Sequence, residues 1–128
     1  MEKHNAYYSV IQYCPDAGRD ERGNVGVFLF DPSIPKAGYV IDRKSRRVAE
    51  FFGVKDKTQF SSLLNSFAER LKIEIGTRWT RQEWEEFIAT RAIDIQMTPF
   101  RAVKIEDMDE AVWVLFGDLV LREPKGGE

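Results

Sequence analysis

Residues Asn24 to Phe30 read NVGVFLF, a run that is apolar on both of its alternating faces. A run of this kind fits a central strand covered on two sides, not a half-solvated edge. Gly26 lies inside it, where a missing side chain weakens a strand unless another group must approach closely. Asp31-Pro32-Ser33-Ile34-Pro35 ends the run, because proline cannot donate to a ladder. Upstream, Ala6 to Cys14 (AYYSVIQYC) is dense in β-branched and aromatic residues and reads as a strand. Downstream, Gly38 to Ile41 (GYVI) is a third short strand, and the three form an expected antiparallel meander.

The period then changes. Ser45 is placed to cap a short helix carrying Val48, Phe51 and Phe52 and stopped at Gly53. Thr58 precedes Phe60, Leu63, Leu64, Phe67 and Leu71, an i, i+3, i+4, i+7, i+11 stripe that predicts a helix ending near Gly76. Thr80 and Glu83 have the spacing of a capping box, opening a helix that buries Trp84, Phe87 and Ile88. Ile93 to Met97 is the fourth strand, broken at Thr98-Pro99. Asp107 starts the last helix, with Met108, Ala111, Val112, Leu115, Phe116, Leu119 and Val120 on its core face. The expected fold class is α+β, a small antiparallel sheet (a three-strand meander plus a fourth strand) packed against three or four helices. One domain spans residues 1–128, with its core over about 6–121 and polar tails at 1–5 and 122–128. His4 falls in the first tail.

The 128 residues carry 19 Lys and Arg against 21 Asp and Glu, a net charge of -2. That excludes a polycation coating nucleic acid through bulk charge, while leaving room for a local basic patch. One cysteine, Cys14, supplies neither an internal disulfide nor a thiolate zinc site, and it reads as a small buried hydrophobe. With His4 the sole histidine, no His/Cys cluster and no internal Ser-His-Asp set is available. No apolar run approaches the roughly 20 residues that span a bilayer, and the first residues lack the apolar middle of a signal peptide. The expectation is a cytoplasmic protein with no membrane role, no metal and no cofactor.

The opening YSVIQYCPDAGRDERGNVGVFLFDP, the central GTRWTRQEWEEFIATRA and the later IQMTPFRAVKIEDMDEAVWVLF resemble the bacterial family known as domain of unknown function 3037. The most specific piece is Arg19-x-x-Arg22-Gly23-Asn24-Val25-Gly26-Val27 with Glu21 inside it, followed by Thr98-Pro99-x-Arg101. The resemblance runs from about Tyr7 to Leu121. It implies a bacterial cytoplasmic protein with no assigned activity and no transferable catalytic residues. It also implies proximity to HipA-like protein kinases, which makes such a kinase the expected partner.

Three residue groups are candidates for function. Asp16 to Asn24 holds six charged or amide side chains and exceeds the usual hairpin loop. Arg19, Glu21, Arg22 and Asn24 would there grip a polar or anionic partner; the plainer alternative is a solvated loop whose Asn24 closes its own turn. Arg43, Lys44, Arg46 and Arg47 put four cations in five positions, suited to phosphate, carboxylate or RNA, or simply to solubilising a turn. Arg91 continues an apolar stripe and needs a partner; converging with Arg101 and Arg19 it would make an anion pocket, and paired with a carboxylate it would be structural.

The final helix adds Trp113, Val114, Gly117 and Leu121 outside its main stripe, a second apolar face that either widens the core or meets a partner. Glu83, Glu85 and Glu86 flank a helix start, where acids are favoured by the dipole. The leading expectation is a non-enzymatic interaction or regulatory subunit binding a protein through the Trp113, Val114 and Leu121 face or the Arg19–Asn24 segment. Self-association into a homodimer is compatible with it. The alternative is a nucleic-acid- or anionic-ligand-binding module built on residues 43–47.

Overall fold

A computed structural model describes residues 3–16, 21–34, 36–43, 46–77, 79–89 and 94–121, with only the backbone described at Asp16 and Glu21. The elements run β1 (His4–Asp16), β2 (Glu21–Asp31), β3 (Lys36–Ile41), α1 (Arg46–Phe51), α2 (Lys57–Ile75), α3 (Arg81–Ala89), β4 (Ile95–Met97), β5 (Arg101–Ile105) and α4 (Met108–Phe116). A π-helical turn over Gly117–Leu121 continues α4. The fold is α+β, around an open five-stranded antiparallel sheet.

The sheet order is β3-β2-β1-β4, with β5 also paired to β1. NVGVFLF thus occupies β2, flanked by β1 and β3 and covered on both faces. One face packs Ile11, Val25, Phe28 and Phe30 against Phe60, Leu64, Leu71, Trp84 and Phe87 of α2 and α3. The other packs Ala6, Val27, Leu29, Val40 and Ile105 against Met108, Val112, Phe116 and Val120. Each large apolar side chain so enclosed contributes about 1.5–3 kcal/mol. β1 and β2 carry a bulge: Ile11 opposes Gly26 and Gln12 opposes Asn24, leaving Val25 as the extra residue.

The caps formed from local chemistry. Thr80 N–H donates to Glu83 Oε1 at 2.8 Å and Glu83 N–H to Thr80 Oγ1 at 3.3 Å, closing the capping box. Asp107 Oδ2 accepts from Glu110 N–H at 2.9 Å, as expected of an N-cap. Gly53, at φ 63°, ends the short helix. Gly26 has the expected close approach, since a Cβ there would lie 2.6 Å from the Val40 carbonyl oxygen. The approaching group is the neighbouring strand.

Several expectations need correction. β5 is a fifth strand over residues that the sequence pattern assigns to no element; RAVKI is mostly exposed, and pairing with β1 makes it a strand. The hairpin ladder reaches Asp16 opposite Glu21, so Arg22 and Asn24 lie in a strand and only 17–20 connect. α2 starts at Lys57, just before Thr58, and is capped by Asp56, whose Oδ1 accepts from Gln59 N–H at 2.9 Å. Phe51 is 73% exposed, because a one-turn helix cannot turn two adjacent aromatics inward. His4 belongs to β1, and its Nδ1 lies 2.7 Å from Oδ2 of fully buried Asp31, which also accepts from the Ser33 amide and hydroxyl. The Ser45 cap, the strand start at Ile93 and the tail at 122–128 lie outside the described residues. Among the described residues no helix is long and apolar enough to cross a membrane.

Candidate functional site

Two surfaces meet at the π-helical turn that follows α4. The first is a groove of about 410 Å³ between the start of β2, α1 and the π-helical turn, lined by Arg22, Asn24, Arg47, Phe51 and Leu119. Gly23 makes its floor narrow: a Cβ there would sit 2.9 Å from Val48 Cγ1. Asn24 ties the wall together. Its amide nitrogen donates to the Leu119 carbonyl at 2.8 Å, and its oxygen accepts from Gln12 Nε2 at 3.0 Å. Asn24 therefore bridges to the far end of the chain and does not close its own turn. The Arg47 guanidinium donates to the carbonyl oxygens of Val120 and Leu121. A cation at the last carbonyls of the described helix suits its negative end.

The second surface is the outward face of α4. Trp113, Val114 and Leu121 are 62%, 55% and 55% exposed. Trp113, Gly117 and Leu121 stand four residues apart and share one stripe, and Phe116 meets the Trp113 ring edge-on at 5.9 Å. The neighbouring solvent positions are acidic: Asp109, Glu110 and Asp118 are exposed, and 107–121 contains no lysine or arginine. Trp113 is thus outside the core, which Met108, Val112, Phe116 and Val120 fill.

The remaining cations spread out. Arg43 turns toward α2, its Nη1 donating to Asn65 Oδ1 at 3.3 Å and its carbonyl accepting from Ser61 Oγ at 3.2 Å. Arg46 is exposed at the start of α1. Arg101 opens β5 and borders a separate cleft of about 400 Å³ with Tyr8, Gln12 and Phe100, on the other side of Leu119. Arg19, Lys44, Arg78 and Arg91, and the Glu21 side chain, lie outside the described residues. Among the sequence candidates, then, Arg22, Asn24, Arg47 and Leu121 come together, whereas Arg43 does not join them. Phe51 and Leu119 were missed as site residues. The Phe51-Phe52 pair held a usable signal, since adjacent helical residues point about 100° apart and both cannot face one core.

The family-like motifs have structural work in this site. Thr98 stands where β4 and β5 part: Val10 N–H donates to its Oγ1 at 2.8 Å, its own N–H donates to the Val10 carbonyl at 3.0 Å, and Ser9 Oγ donates to its carbonyl at 2.5 Å. The hydroxyl thus replaces a ladder carbonyl at the corner before Pro99.

A third hollow, of about 580 Å³, lies by Tyr13, Lys55, Asp56 and Asp94. Tyr13 packs edge-on to Phe60 at 4.8 Å, and burial, with the Asp94 charge second, raises its phenol above the ordinary 10.0. Among the described residues no three His, Cys, Asp or Glu side chains are grouped to hold a metal ion.

No curated protein and no solved structure matches the chain. A family model described as a protein of unknown function (DUF3037) matches residues 8–120, nearly the whole chain, and the protein belongs to that family.

Proposed function

We infer that this protein is a non-enzymatic interaction or regulatory subunit, with the outward face of α4 and the adjoining groove as its protein-docking surface. The observation that carries this reading is the group of exposed Trp113, Val114 and Leu121 on the outward side of a helix whose opposite face is packed. Isolated exposed apolar residues are ordinary, but several on one helix face, with an exposed Trp, mark surfaces that proteins cover. The groove beside it adds Phe51 and two arginines, the residue types that anchor interfaces. The family resemblance makes a HipA-like kinase the first heterologous partner to test.

The test is co-expression with such a kinase, followed by capture on a tag carried by this chain. Retention of the kinase that is lost on Trp113→Ala and on Phe51→Ala is the expected result. Retention unchanged by either substitution, or no association of any kind, would remove the reading.

A second reading is an anionic-ligand or nucleic-acid module on residues 43–47. Exposed Arg46 and Arg47 beside exposed Phe51 supports it, since arginine with an aromatic suits a stacked base. RNA affinity that falls steeply with salt, and drops on changing Arg46 and Arg47 to Ala, is its signature.

A further inference from the structure

We propose that the cleft between β1, the β4–β5 corner and the π-helical turn binds a small organic carboxylate with an apolar body, held at its charged end by the Arg101 guanidinium. This site lies apart from the outward face of α4 and goes beyond the docking reading.

Strand alternation builds the floor. Tyr8, Val10 and Gln12 stand two residues apart on β1, so all three leave the sheet on the face that carries Ala6 and packs against α4. Arg101 is the cross-strand partner of Tyr8 and leaves the sheet on the same face, beside the phenol. Thr98 and Pro99 form the corner before it, and Leu119 adds an apolar wall, around a volume of about 400 Å³. A cleft of that size suits a small molecule. Asn24 fixes two of its parts from behind, since its oxygen accepts from Gln12 Nε2 and its amide donates to the Leu119 carbonyl.

The polar groups here have bonding capacity left over. Among the described residues Arg101 makes no hydrogen bond or ion pair, and the hydroxyl of half-buried Tyr8 has no partner. Tyrosine hydroxyls drawn out of water usually find one. Gln12 gives one N–H to Asn24 and keeps its second N–H and its carbonyl oxygen. Thr98 Oγ1 is already engaged by Val10 N–H and serves the corner, not the ligand.

Charge selects the class of ligand. Arg101 is the single charged side chain among the described lining residues, and no Asp or Glu lines the cleft with it. Asp118 precedes Leu119 but is exposed and is not part of the lining. One guanidinium fork matches one carboxylate through two parallel N–H···O bonds, and the Tyr8 hydroxyl supplies a third donor. A phosphate dianion would bring a second negative charge that meets no second cation. Val10, Pro99 and Leu119 give the body of the ligand apolar surface to cover, which an ion without a body leaves bare.

Titration of the isotope-labelled full chain with benzoate, followed through amide chemical shifts, tests this. Benzoate should saturate with a Kd of about 1 mM or tighter, with the shifts concentrated at residues 8–12, 98–101 and 119. Arg101→Gln should weaken binding about tenfold or more, and Tyr8→Phe about threefold. Arg101→Lys should recover only part of the loss, because a point charge lacks the fork. Arg101 is exposed and Tyr8→Phe keeps the ring, so these variants should fold, which circular dichroism verifies. Benzyl alcohol has the ring without the charge and acetate the charge without the ring; each should bind about tenfold more weakly than benzoate. Inorganic phosphate should not displace benzoate. An absence of saturable shifts at these residues, or benzoate binding unchanged by Arg101→Gln, would overturn the site. Benzyl alcohol, acetate or phosphate binding as tightly as benzoate would overturn the ligand class.

Discussion

The side-chain amide of Asn24, at the start of β2, donates to the carbonyl of Leu119 in the final π-helical turn, 2.8 Å away and 95 positions along the chain. One residue of the central strand thus holds the end of the last helix against the sheet. The same amide group receives Gln12, so its donor and acceptor ends are both used within the fold.

Replacing Asn24 by Ala removes both bonds and leaves the Leu119 carbonyl part-buried without its donor. The expected loss is about 1–2 kcal/mol of unfolding free energy in urea. Amide exchange should rise most in residues 117–121 and least in α2. A uniform change across the chain would show that the tether is not local.

Gly26 and Gly38 sit in neighbouring strands but face different surroundings. A Cβ on Gly26 would press on the Val40 carbonyl oxygen at 2.6 Å, whereas one on Gly38 has nothing within 4 Å. Gly26→Ala should cost about 1–3 kcal/mol from overpacking against backbone. Gly38→Ala should be neutral or stabilising by about 0.4–1 kcal/mol, through the unfolded chain. Thermal melts of the two variants side by side check the contrast.

At the corner between β4 and β5, Thr98→Val keeps the shape and deletes the hydroxyl that receives Val10 N–H. A strand amide is then left without its acceptor, and the expected cost is about 1–3 kcal/mol. Thr98→Ser retains the oxygen and should recover most of it. A larger loss in chemical denaturation for Thr98→Ser than for Thr98→Val would assign the effect to the methyl group.

The Tyr13 phenol is raised above its ordinary 10.0, first by burial and then by the Asp94 carboxylate. Between the unfolded and folded values the native state holds the proton and the unfolded chain has released it. Its contribution to stability is therefore complete below pH 10 and declines as pH climbs through that interval. An ultraviolet phenolate titration should show one of the four tyrosines ionising later than the rest. Tyr13→Phe should remove that late step, and Asp94→Asn should bring it to lower pH.

Much of the fold was legible because its signals are local. The Thr80–Glu83 box and the Asp107 cap depend on residues three apart, and the stripe from Phe60 to Leu71 depends on helical periodicity, so each is complete within a few turns of chain. The two-sided apolar pattern of β2 likewise states its own burial. β5 could not be read this way. RAVKI is short and largely solvent-facing, and its backbone finds a ladder only in β1, nearly a hundred positions earlier.

The site divides along the same line. The residue types in it were visible in the sequence, which set Trp113, Gly117 and Leu121 on one helical face and clustered Arg46 with Arg47. Whether that face was core or surface depended on which stripe the sheet covered, and the sheet took Met108, Val112 and Phe116. The meeting of Asn24, Arg47 and the Leu119–Leu121 carbonyls belongs to tertiary structure alone. Periodicity and capping are properties of contiguous residues, fixed by backbone geometry over a turn or two. Exposure and long-range hydrogen bonding are decided by how distant segments compete for the two faces of one sheet.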